Sequence, residues 1–121
     1  MTNSNRLIGH FEEINDFWSP KVIGEINDQY IKIAKLKGDI VWHDHKDEDE
    51  LFYIVKGSLD IHLKEETIHL NEGDFYVVPK GVLHKPEASE ECWVMLIEKK
   101  TTKHTGDVQT EYTKSIEDQL E

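Results

Sequence analysis

The sequence predicts an all-β fold on three observations. Short runs rich in Ile, Val, Tyr and Phe recur from Val22 onward, residues such as Gly, Asp, Asn and Lys separate them, and helical periodicity is confined to the N-terminal segment. The expected strands are Val22 to Glu25, Tyr30 to Leu36, Asp39 to His43, Leu51 to Lys56, Ser58 to Lys64, Glu66 to Leu70, Phe75 to Val78 and Cys92 to Glu98. Many short strands at this spacing point to a sandwich, jelly roll or barrel. With 121 residues and no repeat or linker, the expectation is one domain built on one core.

Taken in order, Leu7, Phe11, Ile14 and Phe17 or Trp18 recur at helical steps and predict a helix between Leu7 and Trp18. Ser19-Pro20 should end it, because the residue before a proline disfavours the helical region. Leu51 to Val55 and Trp93 to Ile97 are apolar on both faces. One face should fill the barrel while a helix or a second subunit covers the other, so a homodimer is expected. Trp42, Tyr53, Trp93 and Met95 are read as wall or outer-layer residues. The tail from Thr101 to Glu121 is polar; Thr113 to Leu120 is compatible with a short capped helix, and no chemistry is assigned to it.

Hydrophobic residues make up 37% and charged residues 32% of the chain, as in a globular protein with a well-solvated surface. Fourteen basic side chains against twenty-five acidic ones leave a net charge of −11. Such a field repels phosphate backbones and anionic lipids, which argues against nucleic acid and membrane partners. The opening MTNSNRLIGH lacks a basic segment followed by an apolar run of about 7 to 15 residues, so a cytoplasmic protein is expected. The lone cysteine, Cys92, stands in an apolar run, where a free thiol behaves as a small hydrophobe.

Chemistry concentrates in Trp42-His43-Asp44-His45-Lys46-Asp47-Glu48-Asp49-Glu50 and the apolar run that follows. His43 and His45, one residue apart on extended chain, point to one face and can reach one ion. Glu50 shares its face with Phe52 and Ile54, so its carboxylate should enter the interior, where a metal ion is one of the few partners that offsets the cost of burial. After the strand at Phe75 to Val78, the Pro79-Lys80-Gly81 turn can swing His84 back over the barrel mouth.

These residues resemble the two motifs of the cupin family. His43, His45, Glu50 and Gly57 match the first motif, Gly-x5-His-x-His-x(3 or 4)-Glu-x6-Gly, over about 38–57. Gly73, Pro79, Gly81 and His84 match the second, Gly-x5-Pro-x-Gly-x2-His-x3-Asn, over about 73–88. Gly38 stands one residue closer to His43 than the family form, and Ala88 occupies its final Asn position. The resemblance implies a double-stranded β-helix, a jelly-roll barrel whose open end holds one divalent transition metal ion, Fe, Mn, Ni, Cu or Zn, on His43, His45, Glu50 and His84. Open positions on such an ion would serve water or substrate.

Glu48 is the main rival to Glu50; the six-residue step to Gly57 favours Glu50. Asp47, Glu48 and Asp49 lack the alternation and central glycine of a calcium loop and are read as a solvated turn. His62 and His69 alternate with polar residues and should face water; His10 and His104 lie outside the motifs and are not proposed as ligands. Phe52 is expected at a substrate pocket. The functional expectation is a metal-dependent enzyme, of dioxygenase, isomerase or lyase type, acting on a small oxygen-bearing molecule, with Tyr30, Tyr53 and Tyr76 as further candidates by residue type alone. The alternative is a non-catalytic sensor or sugar-binding module.

Overall fold

The structure is a computed structural model in which residues 6–110 and 113–120 are described. It opens with α1 (Leu7–Glu12), followed by β1 (Lys21–Ile26), β2 (Gln29–Asp39), β3 (Glu50–Lys56), β4 (Leu59–His62), β5 (Thr67–Leu70), β6 (Phe75–Val78), β7 (Lys85–Lys99) and α2 (Ile116–Gln119). The strand pairings are antiparallel. Five strands run in the order β1-β2-β7-β3-β6, and β4 and β5 attach through β7. The all-β barrel read from the sequence is therefore the observed fold.

β7 joins the two parts. Its second half lies between β2 and β3, pairing Val94 with Ala34 and Ile54, while Lys85, Pro86 and Glu87 pair with β4. The ladder to β2 shifts register between Leu36 and Gly38, where residues 89–91 of β7 bulge outward and are exposed. Gly38 takes φ +80° there, a conformation that side chains with a Cβ rarely adopt.

Along β3 burial alternates strictly, with Glu50, Phe52 and Ile54 inside and Leu51, Tyr53 and Val55 half-buried on the other face. The interior cluster includes Ala34, Leu36, Phe52, Ile54, Ile61, Val94 and Leu96. A second cluster forms where Phe11 and Ile14 pack with Ile33 on the outer face, against Val55, Trp93 and Met95. Phe11 stacks on Trp93 at 4.9 Å between ring centroids. The two-faced apolar strands are thus covered on the outside in part by the N-terminal helix.

Three expectations are corrected. The helix ends at Glu12 rather than reaching Trp18; Trp18 takes φ 58°, its indole N–H donates to the Lys37 carbonyl, and its ring joins the barrel interior. Asp39 to His43 is not a separate strand: β2 runs through to Asp39, and His43 forms only an isolated bridge to His84. The last strand begins at Lys85, not Cys92, because β4 and the end of β2 supply partners to a segment whose composition reads as a loop. Among the described tail residues the helix narrows to α2, capped by the Ser115 hydroxyl, which accepts from the Asp118 N–H.

Candidate metal centre

Four side chains meet at one end of the barrel. His43 and His84 face each other across an antiparallel bridge in which each backbone N–H donates to the other's carbonyl, at 3.0 and 2.9 Å. Each also donates its own Nδ1–H to the carbonyl two residues earlier, His43 to Val41 at 2.8 Å and His84 to Val82 at 2.9 Å. That bond fixes the tautomer and leaves Nε2 of both rings with its lone pair free, as in metal-ligating histidines. His45 follows one residue after His43 on the same face, and Glu50 enters from the first position of β3. One donor atom from each of His43, His45, Glu50 and His84 lies within 4.8 Å of all the others, and the four side chains are buried.

Burial makes their state informative. His45 Nδ1 and Nε2, Glu50 Oε1 and His84 Nε2 have no hydrogen-bond partner. The nearest approaches, 3.3 Å from His45 Nε2 and 3.6 Å from His84 Nε2 to Glu50 Oε1, are ion-pair distances. Orphaned buried polar atoms are costly. Three imidazoles and one carboxylate aimed at a common point are the donor set that a divalent transition metal accepts, so the residues present fit such an ion. Burial, and then the neighbouring His84, hold the His43 pKa down to about 4, so its ring is neutral at neutral pH. Burial also works against protonation of His45, but the Glu50 carboxylate outweighs it and its pKa rises. Burial opposes ionisation of Glu50; its contacts to His45 and His84 prevail and hold its pKa well below the usual range.

Glu48 does not join the group. It accepts from the Thr101 hydroxyl at 2.9 Å in an exposed contact. His62 and His69 are also elsewhere, on β4 and β5, as the alternation requires. Tyr30, Tyr53 and Tyr76 do not line the cavity at the centre.

That cavity opens beside the centre. His43, Glu50 and Phe52 line it, together with Ala34, Leu36, Ile40, Val94 and Leu96. Trp18, Pro20, Pro86 and His104 complete the wall. Its volume is about 40 Å³, against the roughly 10 to 15 Å³ that one water requires, so it takes a few waters or a ligand of a few non-hydrogen atoms.

The sequence reading missed three residues around this site. Lys32 and Glu98 form a fully buried pair at 3.6 Å, and Glu98 is the cross-strand partner of Glu50. Burial, reinforced by the Glu50 charge and opposed by Lys32, pushes the Glu98 carboxyl well above its usual range. The signal was present: Lys32 alternates with Ala34 and Leu36, and Glu98 with Val94 and Leu96, on the inward face. His104 carried no such signal, because the tail has no periodicity. It arrives on a turn that packs against the loop of the first motif, where a Cβ on Gly106 would overlap the Asp44 carbonyl oxygen.

Comparison with known proteins agrees with this geometry. The cupin domain profile matches residues 30–98, more than half of the chain. The chain belongs to the cupin family. A cupin-2 domain protein from Shewanella frigidimarina NCIMB 400 is similar in structure, with a TM-score of 0.77 and 45% identity over 78% of this chain and 93% of that one. Protein NMB1881 from Neisseria meningitidis gives 0.74 and 30%, covering 80% of this chain and 99% of that one. Protein YdbB of Bacillus subtilis (strain 168) is 34% identical over 86 residues, 70% of this chain and 76% of that protein. Among the described residues of this cupin, no helix is long and apolar enough to cross a membrane.

Proposed function

We propose that this cupin binds one divalent transition metal ion, Fe, Mn, Ni, Cu or Zn, through His43, His45, Glu50 and His84, and that it is an enzyme acting on a small oxygen-bearing molecule. The observation that carries the reading is the convergence of four buried donor residues beside a cavity, three of them with unpaired atoms. A bound ion supplies Lewis-acid polarisation of a ligand oxygen and, if redox active, one-electron chemistry. The cavity wall narrows the substrate class. Beyond His43, Glu50 and His104 it is made of aliphatic, proline and aromatic side chains, which offer nothing to the several hydroxyls of a sugar. A short molecule with one oxygen-bearing head and an apolar remainder fits it, which weighs against the sugar-binding alternative.

Elemental analysis tests this, on protein prepared anaerobically without chelator or nickel affinity steps, with a His43→Ala/His45→Ala double variant alongside. Close to one equivalent of one metal per chain, lost in the variant, is the expected result. No metal in either protein, even after reconstitution, would sink the metalloenzyme reading. Retention of ligand-dependent spectral changes without turnover of any small oxygenated compound would favour the sensor alternative.

The proposal includes a homodimer through the outer face of β3, β6 and β7. Leu51, Val77 and Ile97 are cross-strand neighbours there, and Asp47, Asp49, Lys80 and Lys99 line the same hollow. A hollow carrying both signs suits a two-fold contact with a second copy of itself. Sedimentation should give a dimer that Val77→Glu converts to monomer; a wild-type monomer at high concentration overturns it.

A further inference from the structure

The metal ligands account for most of the polar atoms facing the cavity, and one ring is left over. We propose that His104 is the hydrogen-bond donor that selects what binds there, offering its Nδ1–H to a small anion held at the His43, His45, Glu50 and His84 centre. The inference rests on the metal-binding reading and goes beyond it by naming a specificity residue and a ligand charge.

The tautomer follows from one contact. The Lys114 backbone N–H donates to His104 Nε2 at 2.7 Å. An amide can only donate, so Nε2 is the acceptor and the proton of the neutral ring resides on Nδ1. Among the described residues Nδ1 has no hydrogen-bond partner, while the ring lines the same cavity as His43 and Glu50. Apart from His43, Glu50 and Trp18, whose indole N–H is engaged by the Lys37 carbonyl, the other side chains on that wall are hydrocarbon. A donor that no described protein group takes up is open to a ligand or a water.

The ring is also held in place and held neutral. Its turn is built by Gly106 at φ +61° against the Asp44 carbonyl, and by the Thr105 hydroxyl, which donates to the Val108 carbonyl at 2.7 Å. Burial, and then the Lys32 ammonium, lower the His104 pKa to about 4. At neutral pH the ring therefore donates without bringing a charge of its own. A neutral donor near a cationic centre favours an anion of a few atoms, such as a short carboxylate, over a neutral molecule of the same size.

Azide is a three-atom anion that serves as the probe. The full chain would be loaded with cobalt(II), whose visible bands report both metal and ligand binding, in wild type, His104→Leu and His104→Asn forms. All three should bind cobalt equally. Azide affinity should fall about tenfold in His104→Leu, the loss expected for one hydrogen bond to a charged group, and recover in His104→Asn, which keeps a donor. Equal azide affinity in wild type and His104→Leu overturns the proposal, and so does a tenfold loss in both variants, which would assign the effect to shape. A wild type that takes up no cobalt overturns the metal-binding reading, and this inference with it; unchanged cobalt uptake isolates the role of His104.

Discussion

Two groups of histidines sit on the two sides of this barrel, and both keep company with carboxylates. On the outside, His62 is bonded to Glu87 at 2.8 Å and to Thr67 at 2.9 Å, while His69 is bonded to Asp60 at 2.6 Å and to Asn71 at 3.0 Å. Every ring nitrogen there has a partner. On the inside, His45 and His84 approach Glu50 only at 3.3 and 3.6 Å, and three of their four ring nitrogens have no hydrogen-bond partner although buried. Proximity of His to Glu is therefore not what sets the inner group apart; buried donor atoms left unpaired are. A surface pair is complete in itself, whereas the inner group is complete only with something added.

The sharpest way to break that comparison is to remove one ring from each group. His45→Ala should weaken metal binding by more than about a hundredfold, beyond what loss of a merely supporting contact costs, while His62→Ala should leave it unchanged. Competition with a chromophoric chelator measures both. Below neutral pH the wild-type affinity should also fall, because His45 holds its proton to higher pH than a free imidazole and the ion must displace it. Metal affinity that is flat between pH 5 and 8 would contradict the assignment of His45.

Acid stability should separate the groups by sign. In the metal-free protein His43 and His104 are neutral down to about pH 4, while the unfolded chain protonates near pH 6.5. Stability is thus lost as pH falls from about 6.5 to 4, by roughly 3 kcal/mol per group. His104→Gln should remove its share, which urea midpoints at pH 7 and 4.5 would report. His69 works the other way: Asp60, and then Asn71, raise its pKa, so what that pair contributes is present at low pH and lost as pH rises.

Smaller effects sharpen the picture. Gly106→Ala places a Cβ against the Asp44 carbonyl at a positive φ and should cost about 2 kcal/mol. It should also weaken azide binding through His104, read in the cobalt titration. Smallest, His62→Ala should change stability by no more than about 1 kcal/mol, less in high salt, since its pair with Glu87 is solvent-facing.

The motif half of the site was legible because it depends on local spacing. His43, His45 and Glu50 lie within one short segment, and strand alternation alone aims them to one side. His84 was legible through the turn that precedes it. Lys32 and Glu98 were legible in principle, since each is a charged residue on an otherwise apolar inward face. The N-terminal helix was overextended because Trp18 falls at a helical step, yet its ring satisfies the barrel interior instead of the helix face.

By itself the sequence determined the all-β class, the alternation of faces and the four donors, because each follows from neighbours a few residues apart. Only the tertiary structure decided the rest. Lys85 to Ala88 includes a proline and two charged residues, and it extends as strand because β4 and β2 offer it backbone partners. His104 lies 54 residues beyond Glu50 in a tail without period, and reaches the cavity because the chain turns back over Asp44. Packing between segments far apart in the chain leaves no periodic trace in either one.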